Sequence, residues 1–102
     1  MQASSHLDID AFKKGKPSDH ELDKLAGKIG NVWERLGTHL NIPYDVLQDI
    51  AANAKDKPLE MLHRWKNTTT SATPYHDLFD GLCDERVGRN NLAKEFCRKE
   101  TL

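Results

Sequence analysis

The sequence predicts an all-α protein, a six-helix antiparallel bundle, on three observations. Apolar residues recur at spacings of three and four along most of the chain. Capping and helix-ending residues stand between those stripes, and no run of apolar–polar alternation competes with them. No single stripe is long enough to hold a helix alone, so the elements must fold together around one core.

The elements follow in order. Residues 1–17 show no sustained period and carry Gly15 and Pro17 beside Lys13, Lys14 and Lys16. They read as a mobile arm or linker, with Leu7, Ile9 and Phe12 able to dock on the body. Ser18 and Glu21 form a capping-box pattern, in which each side chain satisfies a free backbone donor of the helix end. Leu22, Leu25, Ala26 and Ile29 then make the first stripe, and Gly30 closes it, because glycine adopts a positive φ without strain. Asn31 is positioned to cap a second helix with Val32, Trp33, Leu36 and Leu40 inside. Pro43, whose φ already suits a helix, opens a third through Val46, Leu47, Ile50 and Ala51.

A fourth helix starts near Asp56 to Pro58 and carries Leu59, Leu62 and Trp65, with Met61 adjoining. Thr73 before Pro74 marks a fifth, a capping side chain ahead of a proline in the first turn. Its stripe is Tyr75, Leu78, Phe79 and Leu82. Gly88 and Asn90 punctuate the chain before a sixth, with Leu92, Ala93, Phe96 and Cys97 inside. The phase of Trp33 and Trp65 among leucines places both in the core rather than on a binding surface.

Length and charge bound the function. A chain of 102 residues with 37% apolar types has room for one domain and one modest core. The 15 Lys and Arg nearly cancel the 16 Asp and Glu. A net charge of −1 lacks the basic surface that supplies most of the affinity for nucleic acid, and gives no pull toward an anionic membrane. The charge is uneven along the chain: residues 41–83 are net negative and the stretch from 84 onward is slightly positive. Local patches of both signs on a neutral body suit a module that docks on similar modules.

Chemistry is scarce. Cys83 and Cys97 stand in no metal or redox spacing and read as two free thiols of a reduced compartment. His6, His20, His39, His63 and His76 show no metal-ligand spacing, and no nucleophile–base order or glycine-rich phosphate loop is present. No catalytic residue, metal or cofactor is expected, and no small-molecule substrate. No apolar run is long enough to cross a membrane, and the start lacks the blocks of a signal peptide, so a cytoplasmic setting is expected.

The ordered set of residues resembles death domains. Leu25-Ala26 and Ile29-Gly30, then Trp33, Leu36 and Leu40, are similar to that family's first two helices. Ile42, Leu47 and Ile50 match the apolar positions of its third, and Met61-Leu62 with Trp65 those of its fourth. Ala72-Thr73 with Leu78 and Leu82 is similar to its fifth, and Arg89 to Ala93 to the opening of its last. The resemblance spans residues 19–97 and implies a domain over 18–98, with a tail at 99–102. The short link between Ile50 and Trp65 is closer to that of Toll-pathway adaptors and netrin receptors than to death-receptor adaptors. Two residues depart from the family pattern. Ala51 stands where an acidic residue is frequent, and Gly37 replaces a usual alanine at a local cost of ~1 kcal/mol in helix propensity.

The resemblance implies a homotypic docking module for apoptotic or innate-immune signalling, whose partners are other death domains, in assemblies that extend helically. It implies one docking surface on the first and fourth helices, where Lys24, Lys28, Arg64 and Lys66 supply positive charge. The complementary surface lies on the second and third helices, where Asp45 and Asp49 stand four apart. Arg89 and Asn90, at the start of the sixth helix, are further candidates. The alternative function class is a small helix-turn-helix domain that binds duplex DNA, which a steep salt dependence of binding would reveal.

Overall fold

The computed structural model describes residues 11–99. Helix α1 spans Asp19–Ile29 and opens with the reciprocal cap expected of Ser18 and Glu21. The Glu21 N–H donates to Ser18 Oγ and the Ser18 N–H to Glu21 Oε1, each at 3.1 Å. Gly30 closes the helix at φ +62°.

The chain then passes straight into a 3₁₀ turn, Gly30–Val32, and from it into α2, Trp33–His39. Asn31 therefore lies inside the turn, and Val32 takes the capping position with no side-chain cap. The Trp33 N–H donates to the Gly30 carbonyl instead, so the turn itself satisfies a donor that a capping side chain would have served. Helix α2 ends on Asn41 at φ +68°, a conformation asparagine tolerates, which lets the Ile42 N–H reach back to the Gly37 carbonyl at 3.0 Å. Ile42 is thereby turned into the core.

Helix α3 (Tyr44–Asn53) follows Pro43, and α4 (Lys57–Thr68) is capped by Asp56, whose Oδ1 accepts from the Leu59 N–H at 3.2 Å. Helix α5 is Pro74–Cys83 and α6 is Asn90–Cys97. Thr73 takes the cap position of α5 without a capping hydrogen bond from its side chain. The link between α5 and α6 turns at Gly88, φ +64°, and is tied back by the Arg89 N–H to the Leu82 carbonyl at 2.8 Å. The described residues form no strand; Phe12 and Arg98 make an isolated antiparallel bridge.

Helix α4 sits centrally, with α1, α2 and α3 packed on it, while α5 and α6 pair closely and α6 also meets α1. The stripes read from the sequence line this interior. Leu22, Leu25, Ile29, Leu36, Ile50, Leu62, Leu78 and Leu82 are almost wholly withdrawn from solvent. Trp33 and Trp65 are core residues, at 8% and 2% exposure. Met61 is fully buried, deeper than its place beside the stripe suggested, whereas Val32, Leu59 and Phe79 are half-buried. Both cysteines are free thiols, Cys97 buried and Cys83 half-buried.

Gly37 explains its departure from the family pattern. A Cβ at that position would stand 2.7 Å from Leu47 Cδ2 and 3.1 Å from Met61 Cγ. The missing methyl lets α2 lie close against α3 and α4. Gly81 does the same for α5, where a Cβ would meet Leu36 Cδ1 at 2.7 Å.

Ala11–Pro17 belongs to the segment expected to be a mobile arm, yet it lies on the body, with Phe12 and Pro17 buried. The apolar docking envisaged for Phe12 provides the reason. Leu7 and Ile9 fall outside the described residues, as do 100–102.

Candidate docking surface

Of the charged residues singled out from the sequence, Lys24, Lys28, Asp45 and Asp49 are exposed and Arg64, Lys66 and Arg89 half-buried, and most are already paired within the chain. Lys28 Nζ lies 3.1 Å from Glu95 Oε2 of α6 and 5.6 Å above the Phe96 ring, so it joins α1 to α6. Lys66 Nζ donates to Asp19 Oδ1 at 2.9 Å, fastening α4 to the first turn of α1. That hydrogen bond and the lysine charge hold the Asp19 carboxyl below its ordinary range. Arg64 donates to Glu60 Oε2 from Nε at 2.9 Å and approaches Asp49 Oδ2 from Nη2 at 3.5 Å. Asp49 also accepts from Asn53 Nδ2 at 2.8 Å.

The structure thus brings together Arg64 and Asp49, which were assigned to opposite docking surfaces. Lys28, Arg64 and Lys66 point their charge at three different neighbours rather than at one shared face. Lys24, on the solvent side of α1, and Asp45, in the first turn of α3, are exposed and make no ion pair among the described residues.

Arg89 serves the fold. Its guanidinium donates to the Ile29 and Val87 carbonyls, each at 3.3 Å, bracing the end of α1 against the α5–α6 link. Asn90, the first residue of α6, is exposed.

A residue absent from the sequence reading stands beside Asp45. Tyr44 is 75% exposed, while the other large apolar residues described are buried or half-buried. It stands next to Asp45, which makes no ion pair among the described residues. Its spacing of three from Leu47 would equally have suited a core residue, so no local signal reveals it.

Glu21 is the hub of a second polar cluster. Besides capping α1 it accepts from Lys13 Nζ at 2.8 Å and from the Tyr75 hydroxyl at 2.5 Å. Burial works against its ionisation, but the hydrogen bonds from Lys13, Tyr75 and the Ser18 amide outweigh it and hold the carboxyl below the usual glutamate range. Tyr75 moves the other way, its phenol pushed up by burial and by the carboxylate it donates to. This cluster ties α1, α5 and the N-terminal segment together.

A trough of about 470 Å³ runs between the α2–α3 turn, the α4–α5 link and α5, with His39, Asn41, Thr70, Asp77 and Asp80 on its walls. It is polar and open, unlike the concave and largely apolar sites that hold small ligands. The described histidines that contact a carboxylate are dispersed. His39 lies near Asp84 (3.6 Å), His63 near Asp19 (3.7 Å) and His76 near Asp80 (3.5 Å). Among the described residues no three potential ligands gather as a metal site would need. Nor is any described helix long and apolar enough to cross a membrane.

Comparison with curated proteins returns no match, and comparison with solved structures returns none either. One family does match: the model described as Death domain covers residues 19–99. That span begins on the first residue of α1 and ends just beyond α6, so it takes in every helix above, both tryptophans, and the surface at Lys24, Tyr44 and Asp45. Death domains are interaction modules, and this chain belongs to the death-domain family.

Proposed function

We propose that the chain is a docking module without catalytic activity, assembling with other death domains in cytoplasmic signalling of the apoptotic or innate-immune type. In this reading α1–α6 form the family's six-helix antiparallel bundle, and residues 18–98 are the docking body. The observation that carries the reading, given the family, is the exposed pair Tyr44 and Asp45 at the start of α3. An aromatic anchor beside a free carboxylate fits a partner surface bearing a lysine or arginine. Lys24, exposed on α1, would present such a charge to the next copy, so successive copies could extend the assembly instead of closing it.

Individual contacts of this sort are weak, and many used together give a stable assembly. The test is light scattering of the chain, alone and mixed with candidate death domains, over a range of concentrations. Tyr44→Ala should weaken assembly by about thirtyfold or more, the effect of losing an anchor of ~2 kcal/mol. Unchanged assembly by a folded Tyr44→Ala variant would remove α3 from the interface.

A further inference from the structure

Two tyrosines occur in the chain, and the fold treats them oppositely. Tyr75 is buried, and its phenol donates to the Glu21 carboxylate. Tyr44 is 75% exposed, and its hydroxyl makes no hydrogen bond among the described residues.

Buried residues on both sides of Tyr44 hold it in that position. Ile42 is buried two residues before it and Leu47 three residues after it. Pro43 lies between in extended backbone, φ −58° and ψ 148°, and its carbonyl accepts from the Val46 and Leu47 N–H groups at 3.1 Å each. Pro43, Tyr44 and Asp45 thus form an exposed run at the start of α3, just beyond the positive-φ turn at Asn41. The Tyr44 and Asp45 N–H groups belong to the first turn, outside the helix's own hydrogen-bond ladder, and such ends open before the interior does. An exposed phenol on backbone that opens locally is what a tyrosine kinase has to draw into its cleft. Asp45 adds a carboxylate for a basic substrate cleft to attract.

We propose that Tyr44 is a tyrosine-phosphorylation site, and that its phosphate switches off docking at the start of α3. The second half rests on the docking reading above. In the modifying step the phenol oxygen attacks the γ-phosphorus of a nucleoside triphosphate. The bond from that phosphorus to the β–γ bridging oxygen breaks, the nucleoside diphosphate leaves, and the phenol proton passes to the kinase's carboxylate base. The ester carries about −1.5 to −2 charge at neutral pH. Helix α3 has no basic residue to take up that charge, and Asp45 adjoins it. Docking through the ring would then bury a dianion beside a carboxylate, so repulsion and desolvation both oppose it. The fold is spared, because negative charge at a helix N-terminus is favourable.

The test incubates the chain with the catalytic domain of a tyrosine kinase, magnesium and ATP, and locates phosphate by mass spectrometry of fragments. Phosphate should enter at Tyr44 in the parent and in Tyr75→Phe, and nowhere in Tyr44→Phe. Phosphate on Tyr75 of the folded parent, or none at Tyr44, would overturn the site. So would a Tyr44 rate that rises with the unfolded fraction in the destabilised Trp65→Ala variant, since the unfolded chain would then be the substrate. Light scattering should show assembly of the phosphorylated chain weakened at least as much as by Tyr44→Ala. Phosphatase treatment should restore it, and the melting midpoint should be no lower than the parent's. Tyr44→Phe keeps the ring, so it should assemble like the parent before and after kinase treatment. Unchanged assembly of a folded Tyr44→Ala variant would remove the docking reading and the switch with it. Impaired assembly of Tyr44→Ala beside undiminished assembly of the phosphorylated chain would overturn the switch alone.

Discussion

Arg64 Nη2 lies 3.5 Å from Asp49 Oδ2, and Nε of the same guanidinium donates to Glu60 Oε2 at 2.9 Å. One arginine therefore joins α4 both to α3 and to its own preceding turn. Replacing it with glutamate would crowd three carboxylates at the corner between the two helices. Arg64→Glu should lower the melting midpoint slightly, since the pairs are solvent-accessible, and Asp49→Lys in the same chain should restore it in part. Mixing the two single variants should restore nothing. Restoration on mixing, without restoration in the double variant, would mean that the pair acts between copies.

Two glycines make opposite predictions from the same substitution. Gly27 lies within α1, and a Cβ there meets nothing within 4 Å. Gly27→Ala should therefore stabilise the domain by roughly 0.5–1 kcal/mol, the gain in helix propensity. Gly37→Ala gains the same propensity but forces Leu47 and Met61 to move within a filled interior, at ~1–3 kcal/mol. Its net effect should be a loss of about 1 kcal/mol. Chemical denaturation of both variants decides the signs.

Trp65, 2% exposed, is buried on the central helix. Trp65→Ala should cost ~3–5 kcal/mol, a large share of the ~5–15 kcal/mol typical of a whole domain. Thermal unfolding would show this as a fall of many degrees. A midpoint within a degree or two of the parent would mean that the surrounding side chains collapse into the space.

The Glu21 cluster should make stability depend on pH at both extremes. The folded glutamate titrates below its ordinary value of 4.5, so its contribution is present above that value and is lost as pH falls through and below it. Tyr75 titrates above its ordinary value of 10.0, so the stability it confers is complete below that value and declines as pH rises beyond it. Glu21→Gln should flatten the acid limb and Tyr75→Phe the alkaline one, read from urea midpoints at successive pH values.

Features made by neighbours along the chain were legible in the sequence. The Ser18–Glu21 box, the stop at Gly30, the helix start near Asp56 and the buried stripes each depend on residues within a turn or two. Asn31 was misplaced because a 3₁₀ turn and a capped helix start share the same residue preferences, and only the run-on of α1 into α2 separates them. Asn41, in its positive-φ turn, could have been suspected from the asparagine after Leu40. The exposure of Tyr44 and the Arg64–Asp49 contact are set by how helices cross, which no local spacing encodes. Which of the candidate charges make no ion pair among the described residues is a property of the packed molecule.

Lys24 and Asp45 are the two charged candidates that make neither an ion pair nor a side-chain hydrogen bond among the described residues, and they stand on different helices, α1 and α3. If copies dock through the surfaces proposed above, these charges meet between molecules rather than within one. Lys24→Glu and Asp45→Lys should each weaken assembly and slow association; Lys24→Glu should leave the melting curve unchanged, and Asp45→Lys should lower it slightly, because a lysine in the first turn of α3 opposes the helix dipole. Exposed ion pairs contribute only ~0–1 kcal/mol each, so a single reversal gives a modest loss, smaller than that of Tyr44→Ala. Raising the salt concentration should shrink the difference between the reversals and the parent, since it screens the same charges. The deciding measurement mixes the two reversals. A Lys24→Glu copy and an Asp45→Lys copy would bind each other through one opposite-charge pair restored in the reverse sense, and light scattering should show larger species in the mixture than in either alone. Equal scattering in all three samples would place the partner of Asp45 elsewhere on the domain, and Tyr44 would then be the better guide to where it lies.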